Sequence, residues 1–120
     1  MNLIKTSEVK IKKSLFIGQL YDIVCLDEVQ KILDEQKIKH KKATHICYAY
    51  TFNAEMIHEK SFDDGEPSGT AGKPILNVIK KKNLTNTMIV VVRYFGGIKL
   101  GAGGLIRAYT KCASMLVSGK

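Results

Sequence analysis

The sequence contains no tryptophan, two prolines and two arginines, and no apolar run is long enough to cross a membrane. Its N-terminus also lacks the apolar core of a signal peptide, so we expect a cytoplasmic protein without membrane contact. The three cysteines, Cys25, Cys47 and Cys112, are odd in number and form no C-x-x-C pair. This spacing favours free thiols in a reducing compartment over disulfides.

What the chain does contain is a large excess of lysine. Its 120 residues fit one domain, residues 1–120, and a chain of this length can bury a stable core without disulfides or metals. The formal net charge of +8 favours a polyanion such as RNA as a partner. Because the planar guanidinium that suits specific phosphate contacts is so rare here, a lysine-rich surface that serves only solubility explains the charge equally well.

The most distinctive stretch runs from Met88 to Tyr109. Its unbroken apolar start, Met88–Val92, predicts a strand buried on both faces, and apolar residues at helical spacing after Gly104 predict a helix. Between strand and helix lie five glycines, Gly96, Gly97, Gly101, Gly103 and Gly104. A helix start beside a glycine loop leaves unpaired N–H groups, which favour an anion.

A second loop, from Asp63 to Pro74, is rich in glycine and acidic residues. Asp63, Asp64 and Glu66 place three carboxylates in four residues, and oxygen ligands suit Mg²⁺ or Ca²⁺. The spacing departs from the EF-hand pattern, however. We therefore favour carboxylates that accept loop N–H groups or pair with Arg93.

Standard catalytic and nucleotide motifs are absent. Pro74 stands where a Walker A loop at Gly72-Lys73 would need Ser or Thr, and Ile106 stands where a dinucleotide fingerprint would need its third glycine. What remains is a generic anion site formed by the glycine-loop amides, Arg93, Lys99 and Lys73. Alternatively, the glycines serve close packing of the helix on the sheet. We predict no catalytic residue, no metal site and no cofactor.

The rest of the chain alternates between strand and helix patterns. We predict a strand from Val9 to about Tyr21 with a bulge at Gly18, a helix from an N-cap at Asp27 to Ile38, strands His45–Phe52 and Met56–Phe62, and a helix with Pro74 in its first turn. In His45–Phe52 either Cys47 and Ala49 or the tyrosines face the core. Aromatic residues on an open sheet face would suit base stacking.

Four segments of the sequence resemble the Impact family of YigZ-like proteins. FDDGEPSGTAGKP (62–74) and VVVRYFGGIKLGAGGLIRAY (90–109) are similar to its two hallmark segments. KKSLFI (12–17) and HIC (45–47) resemble its N-terminal segment and its central strand. The match runs from about Glu8 to Val117. Leu15 stands where the family usually has arginine, which removes one candidate anion contact.

The resemblance implies the fold and the biological setting. It implies an α/β protein of the α+β two-layer type, with a four-stranded mixed sheet backed by helices and a left-handed crossover, like the second domain of a small-subunit ribosomal protein. It implies an N-terminal-type domain, which bacterial relatives follow with a second, ferredoxin-like domain. The family has no established enzymatic activity, and its eukaryotic members regulate translation initiation.

These observations favour a non-enzymatic binding domain in translation or its regulation, which contacts RNA or a ribosome-associated protein. The predicted surface combines Gly96–Gly104 with Asp63–Gly72 and is held together by a contact between Arg93 and a carboxylate. The predicted binding residues are Asp63, Asp64, Glu66, Lys73, Arg93, Tyr94, Gly96, Gly97, Lys99, Gly101, Gly103, Gly104 and Arg107. The alternative is an enzyme that acts on a phosphorylated small molecule with a carboxylate-held divalent metal.

Overall fold

The computed structural model of the chain describes residues 2–119, which form one five-stranded sheet and three helices. The elements are β1 (Asn2–Ile11), β2 (Ser14–Asp22), α1 (Asp27–Lys39), β3 (His45–Ala54), β4 (Met56–Phe62), α2 (Gly72–Lys81), β5 (Thr87–Tyr94) and α3 (Gly101–Val117). The sheet order is β1-β2-β5-β3-β4, and every neighbouring pair is antiparallel. The predicted α/β class, in its α+β form, is confirmed. The sheet has five strands instead of four, and the described strands have no parallel neighbours.

The additional strand arises because the stretch predicted as one strand is a hairpin. Lys12 and Lys13 have φ angles of 46° and 68°, so this pair forms a two-residue left-handed turn between β1 and β2. Gly18 pairs in register with Ser7 and Val91, so the predicted bulge at this position is wrong. A side chain at Gly18 would collide with Ser7, which explains the glycine by close packing.

The central strand β5 positions the rest of the fold. Residues 88 to 92 are completely buried, as the sequence pattern predicts for a strand covered on both faces. Ile89 and Val91 pack beneath α2 and α3, and Val90 packs on the opposite face, which α1 covers. The sheet and the α2–α3 layer form the expected two-layer sandwich, and α1 adds a helix on the other side. The handedness of the crossover stays a prediction.

One face of β3 lies under the helices and the other faces away from them. Cys47 and Ala49 are completely buried beneath α2 and α3. Tyr48, on the other face, is only 5% exposed, and its ring lies 5.5 Å from that of Phe62. Tyr50 is half-buried and stacks parallel to Tyr48. Most of the aromatic face is therefore packed against the domain and is not an open platform for bases.

Helices α1 and α3 begin earlier in the chain than predicted. The N-cap of α1 is Leu26, one residue before the predicted Asp27, and no side chain caps it. Helix α2 begins at Gly72, so Pro74 lies in its first turn as predicted, whereas α3 begins at Gly101 instead of after Gly104. Within residues 2–119, no helix has both the length and the apolar character needed to span a bilayer.

Candidate functional site

Two loops meet where β5 ends. The acidic loop, residues 63–71, connects β4 to α2, and the glycine loop, residues 95–100, connects β5 to α3. Together they enclose a pocket of about 420 Å³ to which Glu66, Arg93, Lys99 and Gly101 contribute. We call residues 63–71 and 95–104 the two-loop surface. The sequence predicted that these segments share one surface, and the structure brings them together.

A buried ion pair joins the two loops. Arg93 Nη1 donates to both carboxylate oxygens of Glu66, at 3.0 and 2.8 Å, and the two residues are 5% and 7% exposed. The hydroxyl of Tyr109 donates to Glu66 Oε2 at 2.5 Å, and His45 Nε2 lies 3.4 Å from Oε1. Burial raises the pKa of the Tyr109 hydroxyl far above its usual value, so this group stays a donor. The contact predicted between Arg93 and a carboxylate is therefore made by Glu66.

The same guanidinium also anchors the β1–β2 hairpin. Arg93 Nη2 donates to Ser14 Oγ at 3.3 Å, and Ser14 Oγ accepts the backbone N–H of Gly96 at 3.2 Å. The guanidinium carbon lies 5.5 Å from the ring centre of Phe16 and 5.4 Å from that of Phe95. One buried cation thus connects the strands β2 and β5 to both loops.

Asp63 organises the acidic loop from within. Its carboxylate accepts the backbone N–H groups of Gly69, Ala71 and Gly72 at 3.0, 3.2 and 2.8 Å. Because Gly72 is the first residue of α2, this carboxylate serves as a remote cap for a helix whose own N-cap, Ala71, offers no side-chain bond.

Asp64 ties the acidic loop to the start of β3. Its Oδ2 atom accepts the backbone N–H of Ile46 at 2.7 Å, and its carbonyl oxygen lies 2.7 Å from His45 Nδ1. The three carboxylates of the loop thus face different partners. Within residues 2–119, no group of three or more His, Cys, Asp or Glu side chains is placed to hold a metal ion.

Gly96 of the glycine loop and Gly101, the first residue of α3, are glycines for different physical reasons. A Cβ at Gly96 would overlap the backbone carbonyl of Lys13, so only glycine lets the loop lie against the hairpin turn. Gly101 has a φ of +74°, and no neighbouring atom lies within 4 Å of the position of an added Cβ. There the conformation and not the space requires glycine.

Four of the predicted binding residues line the pocket, namely Glu66, Arg93, Lys99 and Gly101, and three others lie outside the two-loop surface altogether. Tyr94 points to the opposite face of the sheet, where its hydroxyl is 2.6 Å from His40 Nδ1 at the end of α1. Lys73 is exposed on α2, and Arg107 is exposed on α3 with its guanidinium beside Gly103. Neither lines the pocket. Any part that these three side chains take in binding stays a prediction.

Sequence reasoning missed Ser14 and Tyr109 as members of the network and gave His45 no role in it. Tyr109 fits the apolar face of α3, and helical spacing alone does not show that its hydroxyl reaches a partner. A useful signal was available in the chemistry, because a buried tyrosine needs a hydrogen-bond acceptor near it.

The thiol nearest this network is buried and protonated. Cys47 Sγ donates to the carbonyl of Asp63 at 3.1 Å, and burial raises its pKa far above the usual value. Burial also raises the pKa of Cys112 to about 11. Neither group is a thiolate at neutral pH. The thiol of Cys47 donates to the Asp63 carbonyl, whereas Nδ1 of His45 faces the Asp64 carbonyl.

The thiols should therefore differ sharply in reactivity. With Ellman's reagent at pH 8, we expect one fast-reacting group in the native protein, Cys25, which is exposed, and release of the other two only on unfolding. A Cys25→Ser variant, as the control, should show no fast phase. A second thiol that reacts at the rate of Cys25 in the native state would contradict this assignment.

Comparison with known sequences identifies the family. The sequence profile of the Impact N-terminal domain matches residues 12–117. The Impact family member YvyE of Bacillus subtilis (strain 168) is 52% identical over 107 residues, which cover 89% of this chain and 49% of that protein. The family member YigZ of Escherichia coli (strain K12) is 40% identical over 102 residues, covering 83% and 50%. The chain thus spans about half the length of these curated relatives.

Solved structures of other proteins share the fold of this chain. A crystal structure of a hypothetical protein superposes with a TM-score of 0.85 at 34% identity, covering 95% of this chain and 56% of the other. The two-domain translational regulator Yih1 superposes with a TM-score of 0.60 at 22% identity, covering 95% and 45%. At that identity the second similarity concerns the fold alone.

Proposed function

Because the chain belongs to the Impact N-terminal domain family, we propose that it is a non-enzymatic binding domain in the regulation of translation. It contacts the ribosome, through RNA or a ribosome-associated protein, by means of the two-loop surface. The description of Yih1 as a translational regulator supports the setting, although the likeness to Yih1 itself is one of fold. The domain covers half of its bacterial relatives, so the activity of a whole protein of that length is part of the proposal.

The observation that carries the proposal is the buried Glu66–Arg93 pair. Its charges neutralise each other, and Tyr109 and Ser14 supply further hydrogen bonds. A buried ion pair held this way fixes the shape of the two loops above it. A surface that is rigid before binding loses little conformational entropy when a partner docks.

The rim of the pocket has the composition of a recognition surface. Phe95 and Ile98 are 47% and 42% exposed, and Lys99 is exposed between the two loops. Exposed aromatic and apolar side chains that lie together are typical of the centre of an interface.

Sedimentation with purified ribosomes from Bacillus subtilis tests this function. Ala102 lies exposed in the first turn of α3 at the pocket, so Ala102→Glu places bulk and negative charge there while complementing the helix dipole. We expect this variant to remain folded and to bind ribosomes at least about tenfold more weakly, which corresponds to 1.4 kcal/mol.

The matched control is Gln30→Glu, which adds the same charge to an exposed position of α1. It should sediment with ribosomes as the unaltered domain does. The proposal fails if the unaltered domain does not sediment with ribosomes, or if Ala102→Glu and Gln30→Glu bind equally well.

A further inference from the structure

The charge of the chain is divided unequally along its length. Residues 1–66 carry ten basic and eleven acidic side chains, whereas residues 67–120 carry nine basic and no acidic side chains. The whole positive excess therefore comes from the segment that forms α2, β5 and α3. An excess confined to part of the fold differs from a lysine-rich surface spread evenly for solubility.

The structure gathers this excess on one side of the molecule. Helices α2 and α3 contain no Asp or Glu, and they lie side by side on the same face of the sheet. Their exposed basic residues are Lys73, Lys80, Lys81, Arg107 and Lys111, and Lys82 follows directly after α2. Among the described residues, the ion pair on this layer joins Lys80 to Glu59 of β4, at 3.2 Å between exposed side chains. Such an exposed pair is readily exchanged for another anion.

A groove runs between the two helices. It has a volume of about 800 Å³ and runs along most of α2 and along the C-terminal half of α3. Lys80, Lys81 and Lys82 line it from the side of α2, and Thr110 and Ser114 line it from the side of α3. Apolar residues, Pro74, Val78 and Val117, also contribute to its lining. A groove with ammonium groups on one side and hydroxyl donors on the other matches a chain of phosphates, because both group types donate to phosphate oxygens.

We propose that this α2–α3 groove binds the phosphodiester backbone of a structured RNA. The cations in the groove are all lysines, which act as point charges, so the binding reads the backbone and not the sequence of bases. On the opposite face of the sheet, the lysines of α1 share the helix with four carboxylates, Asp27, Glu28, Asp34 and Glu35. A basic run, Lys37, Lys39, Lys41 and Lys42, lies at its C-terminal end and is the competing site that the control variant below tests. The inference goes beyond the proposed function, because the groove is separate from the two-loop surface at the N-terminal end of α3.

Fluorescence anisotropy with a labelled RNA hairpin tests the groove. The triple variant Lys80→Gln/Lys81→Gln/Lys82→Gln removes three exposed charges, so its thermal unfolding should match that of the unaltered domain. Loss of three phosphate contacts should weaken binding at least about tenfold at roughly 50 mM salt, and should make the slope of log K against log salt shallower by about 2–3.

The matched control removes the same charge from the α1 side of the sheet. Lys31→Gln/Lys37→Gln/Lys41→Gln should change RNA affinity by no more than about twofold, because charges beyond a Debye length are largely screened. The groove assignment is overturned if both triple variants lose equal affinity, if the unaltered domain does not bind the hairpin, or if poly-glutamate competes as well as RNA. The last outcome would indicate an acidic protein as the partner.

The two-loop variant separates this inference from the proposed function. If Ala102→Glu weakens hairpin binding and the groove triple variant does not, RNA occupies the two-loop surface and the groove inference is wrong. If the triple variant no longer binds the hairpin, and Ala102→Glu is the one variant that no longer binds the ribosome, both assignments stand. If both variants still bind the ribosome and the triple variant alone loses the hairpin, the groove inference stands and only the proposed function is wrong.

Discussion

Replacing Glu66 by alanine is expected to lower the free energy of unfolding by about 3–5 kcal/mol. The substitution leaves the guanidinium of Arg93 buried without its counter-charge and removes the acceptor of the Tyr109 hydroxyl. Urea unfolding followed by circular dichroism measures this loss as a lower midpoint at unchanged slope. Because the free energy of unfolding of a small domain is only about 5–15 kcal/mol, this one substitution should remove a large share of it.

A surface carboxylate provides the matched comparison. Glu59 also pairs with a cation, Lys80, but both side chains are exposed. Glu59→Ala should cost less than about 1 kcal/mol, since the exposed pair is solvated before and after the change. If Glu66→Ala costs no more than Glu59→Ala, the buried pair does not hold the two loops together and the rigid two-loop surface must be abandoned.

Replacing Asp63 by alanine is expected to cost about 2–3 kcal/mol, because three backbone N–H groups lose one charged acceptor. Two of them, on Ala71 and Gly72, lie at the start of α2, so the loss should appear first as fraying of that helix. Amide hydrogen exchange at the beginning of α2 should accelerate more than exchange in β5.

Asp34 supplies the control for this second change. Its carboxylate accepts a hydrogen bond from Gln30 on the exposed side of α1 and contacts no helix end. Asp34→Ala should alter stability by less than about 0.5 kcal/mol, as is usual at exposed positions. Uniform acceleration of exchange across the whole domain in Asp63→Ala would argue against a local capping role.

The sequence was informative wherever local chemistry decides the outcome. The apolar run of β5 and the clustering of glycine and acidic residues in two loops were sufficient to place the buried strand and the surface. They also led to the expectation that Arg93 meets a carboxylate. Which carboxylate does so depends on the path of the acidic loop, in which Asp64 has a φ of +46°. That path directs Glu66 inward and Asp63 toward α2, and no local pattern encodes it.

Other features were missed because long-range packing decides them. The hairpin turn at Lys12 and Lys13 has none of the Asn or Gly residues that normally mark such turns, so the sequence pattern shows one strand where there are two. The roles of Ser14 and Tyr109 depend on residues far away in the chain. Periodicity reports which face of an element is apolar, but not which partner a buried hydroxyl finds.

The network around Arg93 also determines when during folding the recognition surface comes into being. Its hydrogen bonds connect residues that are 27, 43 and 79 positions apart in the chain. Contacts of such long range form late, because the entropy of closing large loops must first be overcome. The hairpin, the acidic loop and α3 must all have docked before the Glu66–Arg93 pair has its full set of partners. A nascent chain that lacks α3 therefore cannot present this surface, and competence to bind becomes a property of the finished domain alone.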